Sequence, residues 1–109
     1  MYYTYMLRCS DNTIYTGMTT NPQRRWKEHF SGGSRAAKYT RSHKAVKFLA
    51  LWQSDSRSLA CQLEHFIKTL SKSQKEHLAV SGDLSLYADY LSFNRYTFVP
   101  LAEMPLVGM

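Results

Sequence analysis

The sequence predicts an α/β domain in which a small three-stranded antiparallel sheet is flanked by helices, in the order β-β-α-β-α followed by C-terminal helices. Residues 2–8 and 13–18 are rich in Tyr, Thr and Ile and are separated by the polar turn Ser10-Asp11-Asn12, a pattern typical of a β-hairpin. Residues 46–53 resume a strand pattern and precede an amphipathic helix. Because 109 residues are enough for one modest core, we expect a single domain.

Alternating apolar residues define the third predicted strand. If residues 46–53 are regular, one face carries Val46, Phe48, Ala50 and Trp52, and the other carries Leu49 and Leu51. Apolar side chains on both faces indicate a strand that is covered on both sides.

Capping residues and glycines predict the first two helices. Asn21-Pro22 is an N-cap followed by the residue that tolerates the first helical position, and Gly32-Gly33 ends this first helix. The second helix begins after Asp55 or Ser56. Its buried stripe consists of Leu59, Leu63, Phe66, Ile67 and Leu70.

Two shorter helices are predicted after the second one. Ser71 and Gln74 form a capping box that starts a third helix running to about Val80, and Gly82 ends it. A short fourth helix is favoured by the spacing of Leu84, Tyr87, Ala88 and Leu91. The remaining residues read as an irregular tail.

Positive charge is concentrated in the first three quarters of the chain. The net charge is +6, and residues 1–78 hold 13 basic and 5 acidic side chains. A polyanion such as nucleic acid is the natural partner of such a protein, although a basic run also suits a solvated surface. The predicted phosphate-binding stretch, in which Glu28 is the only acid, contains Arg24, Arg25, Lys27, Arg35, Lys38, Arg41, Lys44 and Lys47.

Other function classes are disfavoured by the composition. No apolar run approaches the roughly 18 residues that a membrane span needs, and the N-terminus has no basic leader, so we expect a cytoplasmic protein. Cys9 and Cys61 lack metal-binding spacing, which favours reduced thiols over a zinc site or a disulfide.

Several short motifs occur together in a fixed order. Tyr3-Thr4-Tyr5 lies on the first strand and Tyr15-Thr16-Gly17 on the second, followed by Arg25 and His29 on the first helix and Glu64 on the second. Their order and spacing resemble the GIY-YIG nuclease superfamily, in particular its small stand-alone bacterial members. The resemblance covers about residues 2–80. It implies a nuclease domain over residues 1–80 and a short C-terminal helix with an irregular tail over 81–109.

The resemblance implies a phosphodiester hydrolase with a single divalent metal, Mg²⁺ or Mn²⁺. Glu64 would hold the metal, and a lone carboxylate suits an ion whose other ligands are water and phosphate. Arg25, at i, i+4 from His29, would stabilise the transition state with its planar guanidinium. His29 would assist proton transfer, for which its ordinary pKa near 6.5 is suited. Without the family, Glu64 would be read as a solvated helix residue and His29 as a surface or cap residue.

The resemblance also implies that the Tyr5 and Tyr15 hydroxyls face the attacking water, with Tyr15 favoured as general base. A phenol has a pKa near 10, so only Arg25 and the metal would lower it. Gly17 is expected where the nucleic-acid backbone approaches closely. Expected nucleic-acid contacts beyond these are Arg24, Lys27, Lys38, Tyr39 and Arg41.

The sequence departs from the family at one position. Many members carry an Asn some 12 to 15 residues after the metal-binding glutamate, where this chain has Glu76, His77, Leu78 and Ala79. This departure leaves open how the surroundings of Glu64 are organised.

The expected activity is endonucleolytic cleavage of DNA, with a preference for single-stranded or structured DNA because so small a domain spans few base pairs. RNA stays possible, since nothing in the sequence reads a 2′-hydroxyl. The alternative is a nucleic-acid-binding protein with a vestigial or weak site.

Overall fold

The sheet is built around its first strand. In the computed structural model, which describes residues 1–31 and 43–100, β1 (Tyr2–Cys9) pairs antiparallel with β2 (Ile14–Thr19) and with β3 (Ala45–Ser54). The predicted hairpin is confirmed. Its turn is closed by Asp11, whose Oδ1 accepts from the Thr13 backbone N at 3.2 Å and from the Thr13 hydroxyl at 2.6 Å.

The described residues contain four strands instead of the three predicted. A two-residue strand β4 (Thr97–Phe98) pairs with Trp52 and Gln53, which gives the order β2-β1-β3-β4. Two residues show no alternation in a sequence, so this strand exists only through its pairing with β3.

A bulge in β3 places some of its side chains on the opposite face from the one predicted. Met6 pairs with Ala50 and Leu7 with Phe48, so Leu49 is an extra residue with no partner on β1. Phe48 therefore packs with Leu51, and Leu49 packs on the side of Ala50. The prediction that Phe48 shares a face with Ala50 is wrong, because it assumed a regular pleat.

Helix α1 (Pro22–Ser31) begins as predicted, with Asn21 Oδ1 accepting from the Arg24 backbone N at 3.1 Å. Trp26 anchors it to the sheet, since the indole is buried and its ring lies 5.1 Å from that of Phe48. Phe30 does not share this role, because it is 42% exposed. The predicted helix end at Gly32-Gly33 lies outside the described residues.

Helices α2 (Arg57–Thr69) and α3 (Lys72–Ser81) follow β3. The predicted caps are confirmed, because Ser56 Oγ accepts from the Leu59 backbone N and both bonds of the capping box between Ser71 and Gln74 are present. The buried stripe of α2 consists of Leu59, Ala60, Leu63 and Ile67. Phe66 and Leu70 are only partly buried at its margin.

The predicted fourth helix does not form as an α-helix. Leu84–Tyr87 is a 3₁₀ turn and Phe93–Arg95 is a second one. Asp83 accepts from the Ser85 backbone N at 2.9 Å, which caps a segment too short for an α-helix. No helix in the described part of the chain is long and apolar enough to cross a membrane.

The sheet has a hydrophobic cluster on each face. One face packs against α2 and the C-terminal turns through residues that include Met6, Trp52 and Leu63. The opposite face packs against α1 and contains Tyr5, Leu7, Trp26, Ala45, Phe48 and Leu51. Because Tyr5 belongs to this second cluster, the site described below lies on the α1 side of the sheet.

Gly82 ends α3 and offers the first test of the fold. Its φ is +65°, and an added Cβ would lie 2.6 Å from the Phe98 ring. Since L-residues pay about 1–2 kcal/mol in this conformation, Gly82→Ala should lower the free energy of unfolding by at least roughly that amount in urea denaturation. Ser73→Ala, at an exposed position of α3, should change it by less than about 0.5 kcal/mol. Equal effects of the two changes would contradict this account.

Candidate active site

Two tyrosines and a histidine meet on the α1 side of the sheet. Tyr5 comes from β1, Tyr15 from β2 and His29 from α1. The Tyr5 hydroxyl and His29 Nε2 are hydrogen-bonded at 2.7 Å. The imidazole centroid lies 5.6 Å from the ring of Tyr5 and 5.3 Å from that of Tyr15, and the two phenol rings are 6.3 Å apart. Three elements thus bring three proton-carrying groups into contact.

The strand register explains why these tyrosines share a face. Tyr5 pairs with Gly17 and Leu7 pairs with Tyr15, and directly paired residues of an antiparallel ladder point to the same side. A Cβ on Gly17 would lie 2.6 Å from the Tyr5 hydroxyl oxygen and 3.0 Å from the Tyr15 ring. Gly17 is therefore needed by the packing of the two phenols. Its expected contact with nucleic acid stays a prediction.

Burial dominates the protonation of both phenols. The pKa of Tyr5 is raised far above 10, first by burial and then by the neighbouring Tyr15, while Arg25 lowers it. The pKa of Tyr15 is also raised by burial, against an opposing effect of Arg25. The guanidinium acts in the expected direction, but desolvation outweighs it. Both hydroxyls are therefore protonated at neutral pH.

The environment of His29 differs from the one predicted from the sequence. It is 0% exposed, so neither a surface nor a cap position describes it. Burial, followed by the charge of Arg25, lowers its pKa to about 4, against a smaller opposing effect of Glu28. The expectation of an ordinary pKa is wrong, because the imidazole is neutral throughout the physiological range.

Arg25 lies beside this cluster, one helical turn before His29. Its guanidinium is half-buried, and Nη1 lies 3.1 Å from Glu28 Oε1. It also interacts with the hydroxyls of Tyr5 and Tyr15. The pairing with Glu28 was not anticipated, although the i, i+3 spacing of the two residues contained the signal.

Glu64 lies on helix α2 and interacts electrostatically with the same phenols. Its charge raises the pKa of both Tyr5 and Tyr15. The side chain is 19% exposed, and one oxygen lies 3.6 Å from Nζ of the more exposed Lys68. No cluster of three or more His, Cys, Asp or Glu side chains occurs within residues 1–31 and 43–100. A partly exposed carboxylate of this kind fits a divalent ion whose remaining ligands are water and substrate.

The remaining predicted contacts fall into two groups. Arg24 and Lys27 are exposed on α1, and their expected contact with a phosphate backbone stays a prediction. The expected contacts through Lys38, Tyr39 and Arg41 lie outside the described residues.

Glu76 occupies the region where many family members carry an Asn. It forms a bidentate ion pair with Arg8 of β1, in which Nη1 donates to Oε2 at 2.7 Å and Nη2 donates to Oε1. The bond lowers the pKa of Glu76. This carboxylate is therefore used to hold α3 against the central strand.

The chain is similar to known proteins over most of its length. Residues 1–77 match the model of the GIY-YIG catalytic domain. A UPF0213 protein of Fusobacterium nucleatum is 48% identical over 82 residues, covering 75% of this chain and 80% of that protein. A UPF0213 protein of Natronomonas pharaonis is 48% identical over 77 residues, covering 71% and 88%. The solution NMR structure of a UPF0213 protein from Bacillus halodurans is 41% identical, covers 80% of this chain and 90% of that one, and has a TM-score of 0.48.

The buried imidazole gives a stability prediction. The pKa of His29 is near 6.5 in the unfolded chain and about 4 in the folded one, so the unfolded state binds the proton more readily. The free energy of unfolding should be unaffected by His29 above pH 6.5 and should fall by up to roughly 3 kcal/mol as the pH drops towards 4. Urea denaturation between pH 7.5 and 4.5 measures this slope. His29→Gln should flatten it, whereas His77→Gln, at an exposed position, should leave it unchanged.

Proposed function

The chain belongs to the GIY-YIG catalytic-domain family of nucleases, and from this membership and the geometry of its site we propose that it is a metal-dependent endonuclease acting on DNA. The observation that carries the proposal is the buried hydrogen bond between Tyr5 and the neutral His29, with Arg25 and Glu64 beside it. Hydrolysis of a phosphodiester needs a proton acceptor, a cation for the developing charge and a Lewis acid.

The proton acceptor in this proposal is the imidazole. Neither phenol is ionised at neutral pH, whereas His29 is unprotonated there. In the tautomer we assign, Nε2 carries no proton and accepts the hydrogen bond from Tyr5. A phenol that takes a proton from the attacking water can therefore release its own proton towards the imidazole in the same step. In this proposal Tyr5, which is bonded to His29, relays the proton of the water, and the less buried Tyr15 orients that water.

Arg25 supplies the positive charge in the proposed mechanism. Its guanidinium is planar and can bind two phosphate oxygens at once, as the charge on them grows. Glu28 holds it in place at 3.1 Å. A substrate phosphate would compete with this carboxylate for the same donors. The pair therefore keeps Arg25 oriented when no substrate is bound.

Glu64 would hold the metal, Mg²⁺ or Mn²⁺, which supplies a Lewis acid for the phosphoryl oxygens when bound. The carboxylate must then exchange Lys68 for the ion, which is inexpensive because Lys68 is largely exposed. Exposed Arg24 and Lys27 would hold the rest of the strand by its phosphates.

The substrate is proposed to be single-stranded or structured DNA. The test is incubation of the protein with single-stranded, duplex and branched DNA and with RNA, in Mg²⁺, Mn²⁺ or EDTA. Cleavage of DNA that EDTA abolishes supports the proposal. Cleavage of RNA alone would show that the substrate is RNA and not DNA. Binding without cleavage would favour the alternative of a non-catalytic nucleic-acid-binding protein.

Glu64→Gln should abolish cleavage while the protein still folds and binds DNA. The change removes the charge that a metal needs and keeps the size of the side chain. Single-turnover cleavage and fluorescence anisotropy with a labelled oligonucleotide measure the two properties separately. Asp89→Asn, which removes a carboxylate at an exposed position, serves as the control and should cut normally. A Glu64→Gln protein as active as its parent would sink the single-metal mechanism.

Arg25 and its neighbour Arg24 should respond differently to replacement by lysine. A point charge does not reproduce the bidentate guanidinium, so Arg25→Lys should slow single-turnover cleavage by on the order of a hundredfold. Arg24 is exposed and its attraction to phosphate survives the change, so Arg24→Lys should stay within about threefold. Similar losses in both variants would mean that Arg25 belongs to a general basic surface and has no role in the transition state.

A further inference from the structure

A cavity of about 220 Å³ lies next to the proposed active site, between β1, β3 and the start of α1. Its walls include Tyr3, Leu51 and Val99, which also lie against the cluster that contains Tyr5. Tyr3 is two residues from Tyr5 on the same face of β1, a distance of about 7 Å along the strand. Leu51 pairs directly with Tyr5. The cavity therefore continues the proposed site along the sheet.

The residues that line the cavity disfavour the binding of a phosphate group. None of the described residues around this cavity carries a charge. The polar groups come from amide and hydroxyl side chains, among them Gln23 of α1 and Gln53 of β3, which pairs with Tyr3 in the ladder. An amide side chain offers both donors and an acceptor. Neither of these two glutamines uses its side chain in a hydrogen bond within the described chain.

We propose that this cavity holds a nucleobase of the substrate strand, at a nucleotide adjacent to the cleaved phosphodiester. The inference rests on the proposed function, because a nucleic-acid strand in the active site is what brings a base to this position. A base is flat, uncharged and edged with donors and acceptors, which matches a tyrosine ring, two aliphatic walls and free amides. The cavity is smaller than the roughly 300–1,000 Å³ of sites for larger ligands, as expected for a single ring system.

A second cavity, between the start of β2 and α3, provides a contrast. It is lined by Thr13, Ile14, Lys72 and Lys75, and neither lysine forms an ion pair with another described residue. Ammonium groups attract phosphate and discriminate poorly among bases. The two cavities therefore differ in the part of a nucleotide that each can recognise, and only the uncharged one adjoins Tyr5.

The test uses a trinucleotide of DNA and a matched trimer in which the central base is missing, each titrated into ¹⁵N-labelled protein. The complete trinucleotide should shift the amide signals of Tyr3, Leu51 and Gln53, and the abasic trimer should not. Tyr3→Leu should weaken binding of the complete trinucleotide roughly 5- to 150-fold, to the affinity of the abasic trimer. Tyr3→Phe keeps the ring and should bind like the parent. Tyr2→Leu, on the opposite face of β1, is the matched control and should also bind normally.

A second variant tests the cavity through a residue that lies outside the sheet. Gln23 is exposed on α1, so Gln23→Ala should fold normally and should weaken the complete trinucleotide more than the abasic one, unlike Gln62→Ala on α2. Equal binding of the two trimers, or unshifted cavity amides, overturns the base site even if the protein cleaves DNA. Shifted cavity amides in a protein that cuts nothing keep the base site and reject the nuclease proposal.

Discussion

The hydrogen bond between the Tyr5 hydroxyl and His29 Nε2 joins the central strand to the first helix, and most of the site depends on it. It fixes the phenol above the backbone of β2, and this position leaves no room for a Cβ on Gly17. Together with the buried Trp26, it holds α1 against the sheet. Arg25, one turn earlier on the same helix face, is thereby carried to the edge of the phenol pair. A single buried contact thus places side chains from three elements.

Electrostatics divide the site into a neutral interior and a charged rim. Burial keeps the phenols protonated and the imidazole unprotonated, so the enclosed groups carry no charge at neutral pH. The charged groups, Arg25 and Glu64, are only partly buried and each has an ion-pair partner. This arrangement avoids the desolvation cost of an enclosed charge while keeping both charges beside the phenols.

The two faces of the sheet differ in composition. The face towards α2 and α3 is apolar and carries most of the larger hydrophobic cluster, whereas the face towards α1 carries the phenols and the uncharged cavity. The bulge at Leu49 turns Phe48 to the α1 side, where its ring packs against Tyr5 and Trp26. The ion pair of Arg8 with Glu76 then holds α3 against the central strand. A rigid strand with a core behind it can present its tyrosines without depending on loops.

The sequence by itself determined the first three strands, the first three helices with their N-terminal caps, and the family, because periodicity, capping residues and motif spacing are local properties. It also indicated Tyr5, Arg25 and Glu64 as candidate site residues, because they stand at positions fixed by that spacing. Tertiary structure alone decided the bulge in β3, the two-residue β4 and the protonation of His29. Each of these depends on residues distant in the chain. The bulge arises because β1 has no residue to pair with Leu49, and β4 forms because β3 pairs with it. The pKa of His29 is lowered because the surrounding core excludes water from the imidazole. Desolvation is a property of the folded surroundings, and a sequence records only the side chain that experiences it.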